Sequence, residues 1–204
     1  MVIVAEPFAR QFGGMASEDP TPPSKRLLLV LAHPALERSR ANRPLAKAAK
    51  TLDGVSFHDL YEAYPDFLID VEAEQARLVA HDVIVLQFPM QWYSAPALLK
   101  EWIDMVWLRG FAYGVGGTAL RGKTLLVAAT AGSPKDDYRP EGSHFYSTAE
   151  FLRPWERTAA LCGMAWAEPF ILHSSRAKEM EVLITEARAY RARLAQLLSQ
   201  GAPA

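Results

Sequence analysis

From residue 25 onward, short unbroken apolar runs alternate with stretches whose apolar residues recur every three to four positions. The first run, 26–32 (RLLLVLA), ends at His33 and Pro34. So short a run without polar alternation is what a strand buried on both faces requires. Residues 45–52 have helical spacing and stop at Asp53 and Gly54, 55–61 can form a second strand, and 71–80 a helix. Residues 82–88 (DVIVLQF) make a third strand closed by Pro89. An amphipathic helix over 97–107 places Trp102 and Trp107 at packing positions, before a loop with Gly110, Gly114, Gly116 and Gly117. Residues 124–130 (TLLVAAT) are a fourth strand, 148–161 a helix after a long polar loop, and 169–173 a fifth strand approached through 165–168. A long helix over 179–198 ends the pattern.

Five strands alternating with helices predict the α/β class, a doubly wound parallel sheet covered on both faces. The common strand order for five strands is 2-1-3-4-5, with its ligand site at the carboxyl ends of strands 1, 3 and 4. Residues 1–24 break the rhythm, with Gly13-Gly14 and 19–23 (DPTPP), and read as an extension or flexible arm before one domain over 25–204. The run 1–5 leaves an added edge strand open, and Met15 an alternative start.

Bulk properties narrow the function. The chain has 204 residues, half of them apolar and 22% charged, which suits one globular domain. A net charge of −1 provides no basic field for nucleic acid. Cys162 is the single cysteine, so an intramolecular disulfide or a thiolate metal cluster is excluded. Its place at an apolar helix end before Gly163 makes it a small core residue. His58 and His81 have no partner at metal-ligand spacing, and no metal is expected. The arginines at 188, 191 and 193 form a solvated face. No apolar stretch approaches the ~18 residues of a membrane span, and no secretory leader is evident, so the expected location is cytoplasmic.

The three loops at the expected ligand-facing ends are each unusual. After the first strand comes HPALERSRAN, 33–42, entering a helix. Ser39, Asn42 and the free N–H groups of a helix start can hold an anion, with His33 and Arg40 adding positive charge. Equally, Ser39 or Asn42 can simply cap the helix. No GxGxxG is present, which excludes a dinucleotide-binding turn of the Rossmann type. After the third strand, Pro89 and Pro96 bracket Met90, Gln91, Trp92 and Tyr93, a stiff aromatic and amide-bearing loop suited to a flat heteroaromatic ring. After the fourth, Thr130, Ala131, Gly132 and Ser133 allow close approach to backbone. Beyond them, Tyr138 and His144 offer a phenol and an imidazole able to protonate or stabilise an oxyanion.

Taken together, the segments LAHP (31–34), SRAN (39–42), YPDF (64–67), AEQ (73–75), FPMQWYSAPALLKEWID (88–104), FAYGVGGTALRGK (111–123) and ALCGMAW (160–166) resemble the flavodoxin-like NAD(P)H:quinone oxidoreductase family. Within it they are most similar to the ancillary proteins of bacterial glutathione-regulated potassium-efflux systems. The resemblance runs from about Lys25 to Leu198. It implies a homodimer with FMN or FAD held non-covalently at the subunit interface and a ping-pong reaction, with NAD(P)H as reductant and a quinone as acceptor. It places His33, Ser39, Arg40, Ala41 and Asn42 around the flavin phosphate. Pro89, Met90, Gln91, Trp92 and Tyr93 would lie along the isoalloxazine, and Thr130, Ala131, Gly132 and Ser133 on its other edge. Gln75 would reach the adenosine half of FAD, Tyr138 and His144 form the catalytic pair, and Phe111 and Tyr113 come from the second subunit. Where the family commonly has Thr-Thr-Gly-Gly, this chain has Thr-Ala-Gly-Ser, and 134–137 can re-aim Tyr138. A regulatory flavoprotein subunit of a potassium-efflux antiporter, and an azo- or nitroreductase, are alternatives.

Overall fold

The computed structural model describes residues 25–199; the arm at 1–24, with its edge-strand alternative, and residues 200–204 lie outside them. Six strands are formed: Leu27–Leu31 (β1), Val55–Asp59 (β2), Val83–Pro89 (β3), Thr124–Thr130 (β4), Ala165–Trp166 (β5) and Phe170–Leu172 (β6). The helices are Asn42–Ala49 (α1), Leu60–Ala63 (α2), Val71–Val79 (α3), Ala97–Val106 (α4), Thr148–Leu161 (α5) and Met180–Ser199 (α6). The sheet order is β2-β1-β3-β4-β5, with β6 also on β4 and every pairing parallel.

Strand parity builds two cores. Leu28 and Val30, Ile84, Leu86 and Phe88, and Leu125 and Val127 pack on one side with Leu78, Leu98, Trp102 and Trp155. Their neighbours in sequence, Leu27, Leu29, Leu31, Val83, Val85 and Leu126, meet Leu45, Leu183, Tyr190 and Leu194 of α1 and α6 on the other. Successive side chains of a strand point to opposite faces, so a strand covered by helices on both must be apolar throughout. Trp102, Trp107 and Cys162 are buried, as their spacing required.

The first helix occupies Asn42–Ala49 in place of 45–52, and the structure departs from the expected elements in two further places. The fifth strand is split: Trp166 faces Leu125 and Phe170 faces Ala128. Ala167, Glu168 and Pro169 therefore span the stretch that β4 covers with Leu126 and Val127, a bulge at a residue without an N–H. The second strand stops at Asp59, because its carboxylate accepts the N–H groups of Tyr61 and Glu62 and starts α2.

Neither His58 nor His81 is isolated. His81 Nδ1 lies 2.7 Å from the Arg77 carbonyl and Nε2 2.7 Å from Ser56 Oγ. His58 Nε2 comes within 2.9 Å of Glu74 Oε1. Glu74 is wholly buried and also accepts from Tyr64 Oη at 2.7 Å and Trp102 Nε1 at 2.8 Å, with Arg77 Nε 3.4 Å away. Burial alone would raise this carboxyl. The hydrogen bond and charge of His58, helped by Tyr64 and Trp102, outweigh it and hold the group at about 2.

Candidate functional site

At the carboxyl ends of β1, β3 and β4 the three loops converge on two adjoining clefts. The first, about 330 Å³, is lined by His33, Ser39, Arg40, Ala41 and Asn42 from the loop into α1, by Pro89, Met90 and Gln91, and by Thr130. Arg38, Ser175 and Arg176 complete its wall. The lining holds three arginines and no carboxylate. No acidic residue occupies the first turn of α1, the place where one would normally balance the helix dipole. The cleft is built for an anion.

Its hydrogen-bond state supports this. The Ala35 N–H donates to His33 Nδ1 at 3.1 Å, so the neutral ring carries its proton on Nε2. Burial keeps this imidazole below its usual range against a smaller upward pull from Asp59 and Glu37. Ser39 Oγ accepts the Asn42 N–H at 3.0 Å, so it takes up the first N–H of α1, whose N-cap position is Ala41, and lines the cleft at once. Among the described residues, the backbone N–H groups of Arg40 and Ala41 have no partner. Arg40 itself serves differently from expectation: its guanidinium donates to the carbonyls of Arg176 and Lys178 at 2.8 and 3.1 Å. That latches the loop after β6 onto the cleft and leaves the arginine as a fixed positive wall.

The second cleft, about 200 Å³, shares Met90 and is lined by Trp92, Tyr93, Tyr138 and His144. Gln91 and Ser94 exchange both backbone hydrogen bonds at 2.9 Å, so Trp92 and Tyr93 form the tip of a two-residue hairpin. Their φ values are 48° and 63°, the signs of a type I′ turn, which normally takes Asn and Gly. Bulky side chains in this region are strained by about 1–3 kcal/mol each, and such strain gathers at functional sites. Tyr93 stacks on Phe151, while Trp92 is 94% exposed.

The loop after β4 brings Tyr138 and His144 together, ring on ring at 4.3 Å, where a turn exposed to solvent was the alternative. Gly142 makes this possible, since a Cβ there would lie 2.3 Å from the Asp137 carbonyl oxygen, to which the His144 N–H donates. Burial pushes the Tyr138 phenol above its usual range, opposed by hydrogen bonding from Ser133. His144 Nε2 lies 2.9 Å from Ser133 Oγ, and its Nδ1 is enclosed without a partner among the described residues. A Cβ on Gly132 would meet nothing, so a ligand can approach that backbone.

Two expected contacts do not arise. Ala131 is fully buried, and its N–H donates to the Leu172 carbonyl at 2.9 Å, which removes it as a backbone donor. Gln75 lines neither cleft; its amide donates to the Val106 carbonyl at 2.9 Å and closes the end of α4. Sequence reasoning missed Arg38, Ser175 and Arg176. The last two follow β6, which runs beside the end of β4 and so reaches the same rim; the Ser-Ser-Arg run after the fifth strand was the available signal.

Residues 25–194 match the model of a family described by its flavodoxin-like fold. The chain belongs to this flavodoxin-like family. It is 49% identical over 176 residues to the glutathione-regulated potassium-efflux system ancillary protein KefG of Cronobacter sakazakii, covering 86% of this chain and 96% of the relative. Among solved structures it is similar to general stress protein 14 of Treponema denticola in complex with FMN, at 40% identity and a TM-score of 0.81, covering 84% of this chain and 99% of that one. An NADPH-quinone reductase from P. pentosaceus aligns at 31% identity and a TM-score of 0.75, covering 82% and 96%. No helix among the described residues is long and apolar enough to cross a membrane.

Proposed function

We propose that the chain is a flavoprotein that carries hydride equivalents from NAD(P)H to a quinone by a ping-pong route. The observation that carries this is the junction at Met90 of a carboxylate-free, arginine-walled cleft at a helix start with a slot of aromatic rings. The first fits a flavin phosphate and the second a flat ring system. The FMN-bound relative supports FMN, and Gln75, engaged with Val106, argues against an FAD-specific contact there.

In this reading the His33 Nε2–H and the N–H groups of Arg40 and Ala41 bind the phosphate. The free N–H groups of Trp92, Tyr93 and Gly132 line the ring edges. The bound flavin supplies the two-electron chemistry, and the protein supplies orientation and protons. Tyr138, held protonated beside His144, donates a proton to the quinone oxygen as it gains negative charge. Exposed Trp92 and Phe145 beside an open slot favour a homodimer, in which the partner's Phe111 and Tyr113 would close it.

The test is optical. Purified protein reconstituted with FMN should lose its flavin absorbance on addition of NADH or NADPH and regain it with a quinone. Failure to take up either FMN or FAD would sink the proposal, and a panel of azo and nitro acceptors separates those reductase activities. The potassium-efflux relatives favour a second role, peripheral association with an antiporter on the cytoplasmic side of the membrane. A pull-down with the antiporter's cytosolic domain, with and without FMN, tests it.

A further inference from the structure

Gln87 is the one polar side chain in the buried interior of β3, and it is wholly inaccessible. It lies behind the first cleft. Its Nε2 donates to the Asn42 carbonyl at 3.0 Å and to Asn42 Oδ1 at 3.3 Å. Asn42 Nδ2 in turn donates to Thr130 Oγ1 at 2.9 Å. Both Asn42 and Thr130 line the cleft.

The polarity of this chain is determined. A flipped Gln87 would aim its oxygen at two acceptors, so Nε2 must face Asn42. With Oδ1 thereby engaged, the Asn42 amide must offer its N–H to Thr130. Thr130 Oγ1 then accepts, and its own proton, which no other group of the described residues takes, is free for the cleft. The arrangement leaves Gln87 Oε1 buried without a partner. An orphaned buried acceptor destabilises a fold, so its retention points to a use for the rest of the group.

We infer that Gln87 is a positioning residue that, through Asn42, makes Thr130 an obligatory hydrogen-bond donor toward an acceptor in the cleft, there the bound flavin. The inference rests on the flavin reading above. It predicts an uncoupling that a packing role would not produce. Gln87→Leu removes one orphaned acceptor, Gln87 Oε1, and leaves another, Asn42 Oδ1, without its donor, so the melting temperature of the apo protein should stay close to that of the wild type. Its FMN Kd, read by fluorescence quenching, should rise roughly tenfold, the value of one hydrogen bond to a charged or strongly polar acceptor. Thr130→Val should raise Kd as much, and the double variant no further, because both changes break one chain. Should Gln87→Leu fail to fold, Gln87→Met provides the same comparison.

Unchanged FMN affinity in the Gln87 variants, or losses that add in the double variant, would overturn the inference while leaving the flavin reading intact. Wild-type protein that binds no flavin would remove both.

Discussion

The flank of α3 and α4 and the carboxyl end of the sheet both bury polar groups, but they treat them in opposite ways. Around Glu74 the carboxylate meets His58, Tyr64, Trp102 and Arg77, all within 3.4 Å, so this buried acceptor is fully engaged. At the strand ends, Gln87 Oε1 and His144 Nδ1 have no partner among the described residues, and three aromatic residues, Trp92, Tyr93 and Phe145, occupy left-handed backbone. Satisfied networks rigidify a fold, whereas local rules are broken where binding needs them broken. The flank should therefore govern stability and leave binding alone, and the strand ends should do the reverse.

The largest expected effect is on the flank. Glu74→Ala strands the Trp102 indole N–H inside the core and takes the acceptor from the half-buried Tyr64 hydroxyl, and removing one side of such a cluster costs about 3–5 kcal/mol. Chemical denaturation should show that loss, with the FMN Kd of the folded fraction unchanged. A matching loss of FMN affinity would break the contrast. Acid probes the same group. Its carboxyl is held at about 2 in the fold against 4.5 for the ordinary value. A depressed carboxyl stabilises above its unfolded value, so the contribution is complete above pH 4.5 and disappears as pH falls toward 2. Its size is on the order of 3 kcal/mol. Urea midpoints measured from pH 6 down to pH 2 should fall most steeply in that window, and Glu74→Gln should flatten the slope.

Next comes Tyr138→Phe. It removes one hydroxyl and keeps the ring stacked on His144. A lost proton donor should lower the quinone-reducing rate by about 10- to 100-fold, toward the lower end of general acid catalysis. FMN affinity and melting temperature should stay put. Stopped-flow reoxidation of the reduced protein by a quinone reads the rate directly. An unaltered rate would remove Tyr138 from the chemistry and leave it as packing against His173, whose ring lies 5.4 Å away.

These two regions were not equally legible in the sequence. Strands buried on both faces announce themselves, because 26–32, 82–88 and 124–130 each hold an unbroken run of at least four apolar residues, and five such strands most commonly take the order observed. The strand-end loops were legible as a set because topology says where ligands bind. The Glu74 cluster was not, since its hydrogen bonds join residues 10 and 28 positions apart and no local period encodes them. Two of the segments on which the family resemblance rests, YPDF and AEQ, supply Tyr64 and Glu74 to that cluster. Gln75, one residue on, faces α4 instead of a ligand, as helical spacing permits for adjacent positions. The bulge at Pro169 escaped because a residue excess on one strand is visible only against its partner's register.

The smallest effect has the sharpest sign. Trp92 packs on little, being 94% exposed, and sits at φ 48° in a turn position that suits asparagine. Replacing it with Asn should relieve part of the backbone strain and raise apo stability by about 1 kcal/mol. The same change deletes an indole from the rim of the aromatic slot. FMN affinity should then fall while the melting temperature climbs, the mirror image of Glu74→Ala. A Trp92→Phe variant separates the two contributions, because it keeps an aromatic ring in the strained conformation and should recover affinity without gaining stability. If Trp92→Asn instead loses stability, the left-handed hairpin is held by packing that the indole supplies, and melts run over a range of protein concentrations show whether a second copy of the chain provides that packing.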